Sequence, residues 1–132
     1  MKKKILIVDD NPDLIRILKV QLENMGYDTV QATNGMQAVD IATAQLPDLI
    51  LMDIIMPVTD GFEATRLIRQ NAKTSSIPIL AVTALDGPIY EEECLESGCN
   101  DHIAKPFTTK ELVSRIEKLL KKSSGNLSAL PS

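Results

Sequence analysis

The sequence has no long hydrophobic run. No stretch of its 132 residues approaches the roughly 20 apolar positions a membrane-spanning helix needs. Lys2, Lys3 and Lys4 are followed only by Ile5 to Val8 before two aspartates, an apolar run too short for a signal peptide. An excess of positive charge is missing as well, since the formal net charge is −4. Nucleic-acid phosphates are bound by basic surfaces, so the acidic balance counts against a direct nucleic-acid ligand, and no membrane contact is expected. Two cysteines, Cys94 and Cys99, and one histidine, His102, do not make a zinc set. The expected compartment is the cytoplasm, where both cysteines stay reduced as small buried or half-buried side chains. Repeats and low-complexity tracts are lacking too. What remains is one compact domain of ordinary composition, 44% hydrophobic and 24% charged.

Short apolar runs alternate with segments of helical period. "KILIVDD" (4–10) reads as a buried strand. In "NPDLIRILKVQLENMG", Asn11 suits a cap, Pro12 the first helical position and Gly26 the stop, and Leu14, Ile15, Leu18, Leu22 and Met25 form one stripe. "YDTVQA", "DLILMD", "IPILAVTA" and "NDHIAK" supply four more strands. Helices are expected over "GMQAVDIATAQ", over "DGFEATRLIRQN" behind the Asp60/Glu63 capping pair, over "PIYEEECLESG" with its thin apolar stripe, and from the Thr108/Glu111 pair onward. The domain should cover 1–122. The polar end, 123–132, lacks helical period and reads as a flexible C-terminal tail. Five strands alternating with five helices predict an α/β domain whose parallel sheet is covered on both faces.

In such folds ligands gather at the carboxyl ends of the strands. Asp53 is one of these ends, which explains how a carboxylate sits among seven apolar residues between 49 and 56. The first strand ends in Asp9 and Asp10, the fourth in Thr83 and the fifth near Lys105. The first and third strands should be neighbours, which brings three carboxylates together. Two carboxylates 5 Å apart repel by roughly 3 kcal/mol at an effective dielectric of 20. Three need a cation, Lys105 supplies one charge, and hard oxygen donors favour Mg²⁺. An aspartate, a hydroxyl, a lysine and Mg²⁺ together suit phosphoryl transfer onto and off the aspartate.

With these residues in place the chain, from residue 4 to about residue 121, resembles the receiver domain of two-component response regulators, of the stand-alone chemotaxis-receiver kind. "ILIVDDNP" looks like the acidic pair, "DLILMDIIMPVTDG" like the phosphoacceptor strand and its loop, "AVTA" like the hydroxyl position and "DHIAKPF" like the lysine position. The resemblance implies a flavodoxin-like doubly wound sheet of order 2-1-3-4-5. That order is the known one for this family's chemotaxis member and is taken over with the resemblance. It makes Asp53 the phosphoacceptor, Asp10 a direct Mg²⁺ ligand, Asp9 an acid acting mainly through water, and the Ile55 backbone carbonyl the third protein ligand. Thr83 and Lys105 would bind the phosphoryl group. Thr83 and His102 match the switch pair, although the family often has tyrosine or phenylalanine at the second place. A half-exposed strand residue is the equal alternative for His102. Val58 and Thr59 stand where a Gly-Met pair is common.

The implied partners are a sensor histidine kinase or histidine phosphotransfer protein and a downstream effector protein, with room for a phosphorylation-dependent homodimer. The switching surface would comprise the fourth helix, fifth strand and fifth helix. The protein would catalyse its own phosphorylation and dephosphorylation and otherwise be no enzyme. Ile55 and Leu85 would flank the path of the hydrolytic water, and neither can orient it by hydrogen bonding. A haloacid-dehalogenase-type phosphatase would need a second acid where Ile55 stands. A flavodoxin-like carrier would need a phosphate cradle where Asp9 and Asp10 stand. The third alternative, a receiver-like module that takes no phosphate, conflicts with the complete set of acids, hydroxyl and lysine.

Overall fold

The computed structural model describes residues 2–54, 56, 60–84 and 88–129, with side chains described as far as residue 122 except that of Pro88. Five strands and five helices alternate: β1 (Lys4–Val8), α1 (Pro12–Asn24), β2 (Asp28–Ala32), α2 (Gly35–Gln45), β3 (Leu49–Asp53), α3 (Gly61–Gln70), β4 (Ile79–Thr83), α4 (Pro88–Ser97), β5 (Asp101–Ala104) and α5 (Thr109–Ala129). All strands are parallel and lie in the order β2-β1-β3-β4-β5. The expected architecture and strand order are both found.

The inner strands β1, β3 and β4 read as nearly unbroken apolar runs because both faces of the sheet are covered there. Successive side chains of a strand point to opposite faces. Ile5, Ile7, Leu49, Leu51, Leu80 and Val82 pack with Ile15, Leu18 and Leu22 of α1 and Leu112 and Ile116 of α5. Their alternates Leu6, Val8, Ile50, Met52, Ile79 and Ala81 pack with Ala38 and Ala42 of α2, Ala64 and Ile68 of α3, and Cys94 of α4.

Side chains close the N-terminal ends of α1, α2, α3 and α5. Asn11 Oδ1 accepts from the Asp13 and Leu14 N–H groups, Asn34 Oδ1 from Gln37 and Asp60 Oδ1 from Glu63. Thr108 Oγ1 accepts from the Glu111 N–H at 3.0 Å. Each such cap is worth about 1 kcal/mol. At the end of α2, Leu46 adopts the left-handed conformation (φ 47°, ψ 60°) usually left to glycine. α4 ends in a Schellman motif: Gly98 has φ 111°, its N–H donates to Leu95 O, and the Cys99 N–H donates to Cys94 O. The two buried free cysteines are the apolar pair that accompanies this motif.

α5 continues to Ala129, so 123–129 are helical where the sequence had suggested a non-helical end. The apolar stripe signals only burial and stops at Leu120. Extending an existing helix costs little, so hydrogen bonding can outlast the stripe. On the outer edge of the sheet, the His102 N–H donates to Asp101 Oδ1 (2.8 Å). Arg115 Nη1 donates to the His102 carbonyl (2.7 Å) and to Asp101 Oδ1 (3.0 Å).

Candidate functional site

Register assembles the site. Val8 of β1 pairs with Met52 of β3, so the next residues, Asp9 and Asp53, leave the sheet side by side. Thr83 pairs with Ala104, which places Lys105 one step beyond. The Lys105 N–H also donates to the Thr83 carbonyl at 2.8 Å. Asp9, Asp10 and Asp53 each bring a carboxylate oxygen within 4.8 Å of the other two. Asp9, Asp53 and Thr83 are buried, whereas Asp10 is exposed.

Lys105 Nζ lies 3.1 Å from Asp9 Oδ2 and 3.7 Å from Asp53 Oδ1. Asp9 Oδ1 accepts from the Asn11 backbone N–H at 2.9 Å. Both Asp9 oxygens are therefore engaged by the protein, and Asn11 serves twice, as helix cap and as anchor of the acid. At 4.8 Å a pair of carboxylates repels by about 3.5 kcal/mol at an effective dielectric of 20. One ammonium against three carboxylates leaves two negative charges. A divalent cation with hard oxygen ligands fits that surplus, and sulfur and imidazole are absent from the described donor set.

His102 has a half-exposed side chain with Nε2 3.6 Å from Glu91 Oε1 of α4. Ile55 and Leu85, assigned to the metal shell and the water path, lie outside the described residues, as do Val58 and Thr59.

A family model for the response regulator receiver domain matches residues 5–117. The chain belongs to the receiver domain family. This receiver is 36% identical over 121 residues to the DNA-binding master transcriptional regulator RpaA of Synechocystis, covering 91% of this chain and 50% of that one. It is 37% identical over 123 residues to the alkaline phosphatase synthesis regulator PhoP of Bacillus subtilis, covering 93% and 50%. This receiver thus spans about half the length of the curated relatives it matches. Among solved structures it is similar to the receiver domain of the Pseudomonas aeruginosa sensor histidine kinase PA1611 (TM-score 0.84, 38% identity, 91% and 98% covered). That domain carries a magnesium ion in its active-site cleft. No helix among the described residues of this receiver is long and apolar enough to cross a membrane.

Two residues that shape the receiver, Arg69 and Gly61, carry no signal in the sequence. Arg69 donates to Gly98 O, Ser75 O, Ile77 O and Asn100 Oδ1, acceptors from 6 to 31 residues away, so no local pattern reveals them. Gly61, at the start of α3, lies against the backbone of Asp53 and Ile54. A glycine next to a cap reads as ordinary helix punctuation, and residue identity alone gives no sign of this contact.

Proposed function

We propose that Asp53 is the phosphoacceptor. The carrying observation is its buried carboxylate grouped with those of Asp9 and Asp10 and 3.7 Å from the Lys105 ammonium. The donor would be the phosphohistidine of a sensor kinase or phosphotransfer protein. An Asp53 oxygen attacks phosphorus in line, the O–P bond forms, the P–N bond breaks, and the electron pair leaves on the imidazole nitrogen. Lys105 would leave Asp9 to reach a phosphoryl oxygen, and the Thr83 hydroxyl would donate to another. Asp10 and Asp53, with the Ile55 carbonyl, would hold Mg²⁺, and Asp9 would act through water. Bound there, Mg²⁺ supplies positive charge to the phosphoryl oxygens and offsets the acidic cluster. Water attacks the phosphorus of the acyl phosphate, the Asp53 O–P bond breaks, and inorganic phosphate leaves with the carboxylate regenerated, so the protein catalyses its own phosphorylation and dephosphorylation and processes no other substrate. Ile55 and Leu85 slow that attack by offering the water no hydrogen bond.

Engaging Thr83 and Lys105 pulls on β4 and β5. A cleft of about 270 Å³ runs beside Thr83 between α4, β5 and α5, lined also by Tyr90, Glu91, His102 and Arg115. α4 buries little apolar surface and leaves Ile89 and Leu95 exposed. These features support an output surface on α4, β5 and α5, with His102 as the switch residue beside Thr83. The surface would bind an effector protein and, after phosphorylation, a second copy. Residues 1–122 would be the working receiver and 123–132 a tail to it. The charge of −4 favours protein partners in the cytoplasm over direct contact with nucleic acid or membrane.

Intact mass after incubation with acetyl phosphate and Mg²⁺ tests the assignment. The wild type should gain one phosphoryl group and Asp53→Asn none. Full gain by the variant would sink the assignment. Hydrogen exchange should change on α4, β5 and α5 upon phosphorylation. Changes confined to α1 and α2 would refute the output surface.

A further inference from the structure

Ile54, the residue that follows the phosphoacceptor, is held from two sides. The Ile54 N–H donates to Val82 O of β4 at 3.1 Å, and the Ile54 carbonyl accepts from the Gly61 N–H at 3.0 Å. Gly61 is the first residue of α3, directly after its cap Asp60. A Cβ on Gly61 would collide with the Asp53 carbonyl oxygen and would lie 2.7 Å from Ile54 Cα and 2.9 Å from Ile54 Cδ1. By contrast with Gly26 and Gly98, Gly61 is not one of the glycines with positive φ. Its requirement is therefore contact and not conformation.

Two of the three collisions are with backbone, and that backbone has little room to give. β3 is paired on both sides, by β1 and β4, and Asp53 itself pairs with Val82. α3 is seated by buried Gly61, Ala64, Thr65 and Ile68. A side chain at 61 must either lift α3 from the sheet or turn the peptide that joins Asp53 to Ile54. Turning it re-aims the Asp53 carboxylate relative to Lys105, Asp9 and Asp10.

We propose that Gly61 is a positioning residue for the phosphoacceptor: its bare Cα, pressed against the Asp53–Ile54 peptide, sets the direction of the Asp53 carboxylate. The proposal rests on the reading of Asp53 as phosphoacceptor, but two of its readouts need no phosphoryl donor. In Gly61→Ala the ¹³C resonance of the Asp53 carboxyl should move in the metal-free protein. Mg²⁺ affinity by calorimetry and the phosphorylation rate with acetyl phosphate should each fall about ten-fold, a smaller loss than the roughly 10²-fold that a misplacement of about 1 Å can cost.

Leu22→Ala is the control. It empties a fully buried position on α1 and should lower the melting temperature while leaving all three readouts near wild type. Ile54→Val combined with Gly61→Ala should not restore function, because the backbone collisions remain. If Gly61→Ala does not fold in buffer at 20 °C, the same measurements are made in trimethylamine N-oxide, which favours the compact state.

A folded Gly61→Ala protein within two-fold of wild type in Mg²⁺ affinity, with an unmoved Asp53 resonance, overturns the proposal. Equal losses in Leu22→Ala, or recovery on adding Ile54→Val, overturn it too. A wild type that takes no phosphoryl group overturns the functional reading instead, and the resonance and the Mg²⁺ affinity still decide the role of Gly61.

Discussion

Replacing Arg69 by alanine should cost the fold about 3 kcal/mol while leaving the acidic site intact. Arg69 sits in the last turn of α3, half-buried, and its acceptors are three carbonyls and one amide oxygen. Burial disfavours its charge and lowers its pKa. The bonds to Gly98 O (2.9 Å) and Ile77 O (2.7 Å) are partly buried, whereas those to Ser75 O and Asn100 Oδ1 face solvent. Water replaces an exposed bond almost fully, but a buried carbonyl left without a donor costs about 1 to 3 kcal/mol. Two such groups, with the stem that packs over Gly98, give the total of about 3 kcal/mol. An unfolding entropy of about 2.1 cal/mol/K per residue converts it to a fall of roughly 10 °C in melting temperature. Lysine is a single point donor and should recover less than half of this. Thermal melts followed by far-ultraviolet dichroism give the number, and urea melts check that cooperativity persists. Arg69 joins the segments leading into β4 and β5, at the end of the sheet opposite Asp53, so Mg²⁺ affinity at 20 °C should not change. A shift below about 3 °C for Arg69→Ala would refute the reasoning.

Leu46→Gly should raise the melting temperature by about 3 °C, because left-handed backbone costs a residue with Cβ roughly 1 kcal/mol or more and the leucine side chain is half exposed; a drop would mean that Leu46 contributes packing that outweighs the strain. The Cys94 thiol is pushed up to about 12, first by burial and then by the adjacent Cys99. An unfolded cysteine ionises near pH 8.5, so this contribution to stability is complete below that pH and is lost as pH rises toward 12. Urea midpoints should therefore fall between pH 8.5 and 10.5 in the wild type and less steeply in Cys94→Ala; equal slopes would exclude this thiol as the cause. Ile55→Asn and Leu85→Glu should each speed loss of the phosphoryl group roughly ten-fold by giving the attacking water a hydrogen bond of about 1 to 2 kcal/mol. Unchanged decay in both variants would remove these side chains from control of the water.

The elements that bury apolar faces were legible to within a residue or two. α2 was bounded correctly by its pattern alone, and β1, β3 and β4 were found because parallel strands covered on both faces are nearly pure apolar runs. The site was legible for the same reason: Asp53 interrupts such a run, and strand ends converge whatever the intervening helices contain. Contacts that depend on three-dimensional approach were not legible. Gly61 resembles any glycine beside a cap until the neighbouring peptide is placed against it. The acceptors of Arg69 are backbone carbonyls, which leave no trace in residue identity. α5 outran its apolar stripe because hydrophobic period reports burial, whereas a helix ends where its hydrogen bonding ends.

The hydrogen bonds around His102 also bear on how the sheet terminates. An outermost strand ordinarily presents unpaired N–H and C=O groups, a template on which a foreign strand can grow. Here the outward groups of His102 are both taken, the N–H by the neighbouring Asp101 carboxylate and the C=O by Arg115 reaching down from α5. An incoming strand would have to displace a guanidinium from a carboxylate and a carbonyl at once. β5 is four residues long, so losing this one docking point leaves too little ladder for stable growth. An ion pair at the margin thus works as a selvedge: it binds off the fabric at its fifth strand and keeps neighbouring molecules in a crowded solution from being woven onto it.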